Sequence, residues 1–117
     1  MTDEVRLYGI SNCDTIKKAK AWLEQRQIEY CFHDYRKQGL EQGLLNDMTE
    51  ALGWEAMLNR RGTTWRKLPE KNRQQLDAGQ ALAIMLEHPA IIKRPILHCR
   101  GQWHLGFNPG LYEEIFT

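Results

Sequence analysis

Cys13 is the residue whose surroundings in the sequence prepare it for chemistry. A short apolar run, Val5-Arg6-Leu7-Tyr8, breaks at Gly9. From Asp14 the apolar residues change period, and Ile16, Ala19, Trp22 and Leu23 recur at helical spacing. Strand, turn, cysteine and helix follow in order, so Cys13 falls where the helix starts. A thiol there faces unpaired backbone N–H groups and the positive end of the helix dipole, and both favour thiolate. Lys17, one turn on, adds its charge, and Asp14 works weakly the other way. Ser11, Asn12, Asp14 and Thr15 give the thiol polar neighbours, unlike those of a cysteine filling a gap in a core. Three residues on, where a dithiol oxidoreductase carries its second cysteine, stands Ile16. Cys13 therefore closes no CxxC disulfide. Two cationic segments, Arg60-Arg61-Gly62 and Lys93-Arg94, could bring a guanidinium fork to an anion held beside it.

The elements that must position these residues belong to one domain of 117 residues, 42% of them hydrophobic. Sixteen basic against fifteen acidic residues leave a net charge of +1, so no global basic field points to a nucleic-acid partner. Asp3, Glu4 and Arg6 stand where the apolar part of a signal peptide would lie, and no apolar run approaches the ~20 residues of a membrane span. The expectation is a cytoplasmic chain with no membrane partner and with reduced cysteines. Three widely spaced cysteines, Cys13, Cys31 and Cys99, argue against a disulfide scaffold. Neither they nor His33, His88, His98 and His104 have metal-ligand spacing, so neither a metal site nor a bound cofactor is expected.

After the first helix, the alternation of Ile28, Tyr30 and Phe32 predicts a strand over Ile28–Asp34, with Cys31 as a core residue. A β-helix-β order implies a parallel pair joined by a crossover. Arg36–Gly39 reads as a polar connector. Leu40, Leu44, Met48, Ala51 and Leu52 then share a helical face that Gly53 ends. Trp54–Leu58 is a short element closed by Arg60-Arg61-Gly62, and Leu68-Pro69 opens another. Asp77 caps Ala78–Glu87, whose apolar face carries Ala81, Leu82, Met85 and Leu86 and which Pro89 closes. Pro95–Cys99 and Gln102–Leu105 flank an Arg100-Gly101 hairpin turn, and Asn108-Pro109 starts a terminal helix. The sum is an α/β, thioredoxin-type βαβ–ββα layout with a mixed sheet and a helical insertion over about residues 40–88. On that layout the residue before the third strand, Pro95, is cis and faces Cys13, and Arg94 points its guanidinium towards the thiol. Cys99, four residues beyond Pro95, lies ~13 Å further along its strand and is too far to resolve a mixed disulfide at Cys13.

The residues also carry a family resemblance that spans essentially the whole chain. Tyr8-Gly9-x-x-x-Cys13, Lys17-x-Ala19-x-x-Trp22-Leu23, Leu58-x-Arg60, Glu87-His88-Pro89-x-Ile91-Ile92-Lys93-Arg94-Pro95-Ile96 and Gly106-Phe107 resemble the glutaredoxin-linked arsenate reductase (ArsC) and Spx superfamily. The run Asn12-Cys13-Asp14-Thr15-Ile16-Lys17-Lys18-Ala19 resembles its YffB subgroup of glutathione-dependent thiol reductases. By position, the resemblance implies Cys13 as nucleophile, and the reading of the helix start adds Lys17 in support. It implies Arg94 and Arg60 as oxyanion-binding arginines; Asn12, Arg60, Arg94 and Pro95 are then the expected contacts for substrate or glutathione. Glutathione would be the co-substrate, and glutaredoxin or an oxidised protein thiol a possible partner. Two departures matter. Arsenate reductases of the family place a third arginine after the last strand, where this chain has Gly106-Phe107-Asn108. Oxidant-sensing Spx regulators have a second cysteine where this chain has Ile16. The resulting expectation is a glutathione-dependent thiol–disulfide reductase. Its alternatives are an arsenate reductase that uses glutathione and glutaredoxin, and an RNA polymerase-binding regulator lacking the CxxC switch.

Overall fold

Leu7 and Tyr8 are buried on opposite faces of a central strand, which explains why two adjacent residues of that strand are both apolar. The computed structural model describes residues 4–11, 13–74 and 76–117. In it β1 (Arg6–Gly9) pairs in parallel with β2 (Cys31–Asp34) and antiparallel with β3 (Ile96–Cys99). β3 pairs antiparallel with β4 (Gln102–Leu105), giving the order β2-β1-β3-β4. The parallel pair requires a crossover, and α1 (Asp14–Gln25) supplies it. The antiparallel pair needs only two turn residues. Arg100 and Gly101 provide them with φ of 52° and 74°, the left-handed pair that matches strand twist. This is the thioredoxin-like α/β fold.

Two compact units make up the chain: Met1–Gln38 with Arg94–Thr117, and Gly39–Lys93. In the first, the register sets Leu7 beside Leu97 and Phe32. Val5, Leu7, Leu97 and Cys99 form a core with Ala19, Trp22 and Leu23 of α1 and Tyr112 of α8 (Pro109–Phe116). Trp22 meets Tyr112 edge-on at 5.5 Å, and Phe107 does the same at 4.8 Å. Asn108 caps α8, its Oδ1 accepting from the N–H groups of Gly110 at 2.8 Å and Leu111 at 3.3 Å. On the other face of the sheet Tyr8 lies between His33 and Trp103, and Trp103 stacks on His98 at 4.1 Å.

The second unit is helical: α3 (Gln42–Leu52), α4 (Trp54–Met57), α5 (Thr63–Lys67), α6 (Glu70–Arg73), α7 (Ala78–Glu87) and a 3₁₀ turn, Pro89–Ile91. Asp77 starts α7 with a capping box, accepting from the Gln80 N–H at 2.8 Å while its own N–H donates to the Gln80 side chain. An antiparallel bridge between Leu58 and Ile92 is fixed by Asn59 N–H to Ile91 O at 2.8 Å and Lys93 N–H to Met57 O at 2.7 Å.

Several expectations from the sequence are corrected. β2 begins at Cys31 rather than Ile28. Gln27 has a φ of 58° and the Ile28 N–H still bonds Leu23 O, so these residues complete the exit from α1. Ile28 and Tyr30 pack on the core without pairing in the sheet. Cys31 is exposed rather than part of the core, because it lies on the edge strand and on the face away from Phe32. Residues 36–39 are not simply a connector: Tyr35–Gln38 forms a helical turn, α2, with Tyr35 buried. α3 buries Leu45 and Met48 while Ala51 is exposed, and α7 buries Ile84 with Ala81 and Met85. The helical turn α5, between the two turns read from the sequence, carries no apolar stripe and buries no residue.

Candidate active site

Cys13 is the N-cap residue of α1, with extended backbone (φ −145°, ψ 128°), and its carbonyl accepts the first helical bond from the Lys17 N–H at 3.1 Å. The thiol is free and partly exposed. It closes no side-chain cap bond of its own, but the N–H groups of Ile16 and Thr15 lie where they favour a negative sulfur. Burial alone would push the thiol up. The Ile16 N–H, a hydrogen bond from the Arg94 side chain, the Thr15 N–H and the Arg94 charge outweigh it, holding Cys13 below the ordinary thiol value. The thiolate is therefore reached at lower pH than in a free cysteine.

Arg94 is followed in the chain by Pro95 and lies close to Gly9. The Arg94–Pro95 bond is cis, and Pro95 O accepts from the N–H of Gly106 at 2.8 Å, tying the start of β3 to the end of β4. Gly9, at the end of β1, has the Arg94 Cβ 3.8 Å from where its own Cβ would stand. The same position would collide with Ile16 Cδ1, and Ile16 is fully buried. Gly9→Ala should displace Ile16, whose N–H supports the thiolate, and should cost about 1–3 kcal/mol of stability. A urea midpoint together with Cys13 alkylation rates would check this. Unchanged values of both would mean that Ile16 repacks freely.

Lys17 is exposed, and what it offers Cys13 is the backbone bond already described; the side-chain cation acting on the sulfur is that of Arg94. Asn12 lies outside the described residues. Arg60 belongs to the second unit, where it is exposed with its guanidinium 5.7 Å from the Trp65 ring. With Arg61, Lys93, Asn59 and Glu55 it lines a hollow of about 480 Å³. Cys99 is buried, and Cys31 opens onto a groove edged by Glu4, Glu24 and Glu29. Among the described residues no group of three or more His, Cys, Asp or Glu could hold a metal ion, and no helix is long and apolar enough to cross a membrane.

One residue beside the site escapes a reading of the sequence. Asp34, at the end of β2, is only 4% exposed although charged. The clue is its place: a lone carboxylate at the end of a strand, opposite Gly9. Tyr35 comes next, buried, and the Arg94 charge acts on its hydroxyl.

The model of the ArsC family matches residues 8–115, nearly the whole chain. The chain belongs to the ArsC family. A solved structure of a YffB protein is similar throughout, with 42% identity and a TM-score of 0.93 over 97% of this chain and 99% of the other. An arsenate reductase (ArsC) related protein from Brucella melitensis is 48% identical, with a TM-score of 0.79 over 97% of this chain and 95% of its own. The global transcriptional regulator Spx 2 of Bacillus anthracis is 31% identical over 95% of this chain and 83% of its own length. This ArsC-family chain is thus similar both to a reductase-related protein and to a regulator. The thioredoxin-like layout read from the order of elements holds.

Proposed function

We propose that this ArsC-family protein is a glutathione-dependent thiol–disulfide reductase that works through the single nucleophile Cys13. The observation that carries this reading is the placement of Cys13 at the start of α1 with the Arg94 guanidinium on its sulfur. The Cys13 thiolate attacks the glutathionyl sulfur of a mixed disulfide, forming a Cys13–glutathione disulfide and releasing the substrate thiolate, which takes a proton from water. A glutathione thiolate then attacks that disulfide, giving oxidised glutathione and regenerating the Cys13 thiolate. Attack depends on thiolate fraction and on intrinsic nucleophilicity, so a modestly lowered thiol suits both steps. Arg94 matches a carboxylate of the tripeptide through paired hydrogen bonds. Buried Cys99 and edge-strand Cys31 are poor resolving thiols, which leaves resolution to glutathione, or to a glutaredoxin, in solution.

An arsenate reductase would need further fixed cations around a compact, strongly hydrated oxyanion. The positions after β4 where the family's reductases supply one are used otherwise here. Phe107 packs against Tyr112 in the core and Asn108 caps α8, so this favours the thiol reductase over the arsenate reading. The test is turnover of a glutathione mixed disulfide, followed as NADPH oxidation with glutathione and glutathione reductase. Wild type and the Cys31→Ser and Cys99→Ser variants should turn over at nearly equal rates. Loss of activity in either variant would make that cysteine the resolving thiol and end the monothiol scheme.

A further inference from the structure

We propose that Asp34 is a positioning residue for Cys13, its buried carboxylate clamping the loop that delivers the nucleophile to the corner after β2. A carboxylate removed from water is costly unless its oxygens are satisfied. Here the two oxygens serve two different segments. Oδ2 accepts from the Ser11 N–H at 3.3 Å, and Oδ1 accepts from the Arg36 N–H at 2.9 Å. The Asp34 N–H donates to Gln38 Oε1 at 2.9 Å, holding the residue from the α2 side. Pairing with Gly9 sets Asp34 level with the last residue of β1, where the chain departs for Cys13, and Ser11 precedes Cys13 by two positions. Burial pushes the carboxyl up, but the Arg36 N–H, the Ser11 hydroxyl and N–H and the Lys37 N–H outweigh it, so the group stays ionised at neutral pH.

The clamp bears on reactivity because the sulfur's stabilisers are directional. The Ile16 and Thr15 N–H groups and the Arg94 side chain favour a thiolate only where the loop now puts it. The inference rests on Cys13 as the nucleophile of the reading above, and not on glutathione as its reductant.

Asparagine at this position is nearly isosteric but has one oxygen, and its nitrogen would meet an N–H donor, so one arm must open. In the full, reduced chain, loss of the Asp34 charge alone would lower the Cys13 titration midpoint; the opened arm should outweigh it, so that Asp34→Asn raises the midpoint and slows iodoacetamide alkylation of Cys13 severalfold below it. The midpoint is read from thiolate ultraviolet absorbance, as the difference from Cys13→Ser. Gln38→Ala removes the bond to the Asp34 N–H but neither carboxylate arm, and should move the Cys13 midpoint less than Asp34→Asn does. A lower melting temperature in Asp34→Asn with an unmoved midpoint would reduce Asp34 to a structural carboxylate and overturn the proposal. Should Asp34→Asn fail to fold, Asp34→Glu, which keeps the charge but moves both oxygens away by a methylene, should shift the midpoint upward by a few tenths of a unit. No shift there would also overturn it. Neither readout uses glutathione, so failure of the glutathione assignment would not be mistaken for failure of the clamp.

Discussion

Cys13→Ser should abolish glutathione mixed-disulfide turnover, with a loss of about 10³-fold or more, because the step forms a sulfur–sulfur bond that a hydroxyl cannot make. The fold should survive intact. Cys13 occupies an N-cap with extended backbone, and serine is among the residues that cap best, so stability should be equal or slightly higher. The pairing of lost activity with an undiminished melting temperature separates chemistry from unfolding. Retained turnover would move the reaction to another thiol or to none.

Arg94→Ala should have the next largest effect, and its sign comes from the site. Arg94 lowers the thiol both as hydrogen-bond donor and as charge, so removing it raises the Cys13 titration and shrinks the thiolate fraction at neutral pH. On the proposed function the same change would also remove a charged hydrogen bond to a glutathione carboxylate, worth about 1.5–3 kcal/mol, or on the order of 10- to 100-fold in affinity. Turnover at neutral pH should fall while activity at high pH recovers in part, since the missing thiolate returns but the missing contact does not. Isothermal titration with glutathione and a pH–rate profile would show both. A profile superimposable on wild type would mean that the helix start alone ionises Cys13.

The features legible in the sequence are those written in neighbouring residues. The change from strand to helical period at Asp14 places Cys13 at a helix start, Asp77 and Asn108-Pro109 announce helix caps, and Arg94-Pro95 marks the entry to β3. What stays hidden depends on residues far apart in the chain. Alternation cannot tell an edge strand from a central one, which is why Cys31 reads as core and is exposed. Asp34 looks like any polar residue at a strand end until its partner, the Ser11 N–H, is seen 23 residues away. Phe107 and Asn108 read in the sequence as a missing arginine. In the structure each has work of its own, one packed against the core and one at the start of α8.

The central claim is that Cys13 is an ionised nucleophile resolved by glutathione, and treatment of the reduced wild-type protein with oxidised glutathione tests it most directly. Mass mapping after quenching across the acidic to mildly alkaline range should find a single glutathionyl group on Cys13, formed already below the ordinary thiol value of about 8.5 and removed by free glutathione. Labelling of Cys31 first at neutral pH, or an internal disulfide in place of the adduct, would contradict the account.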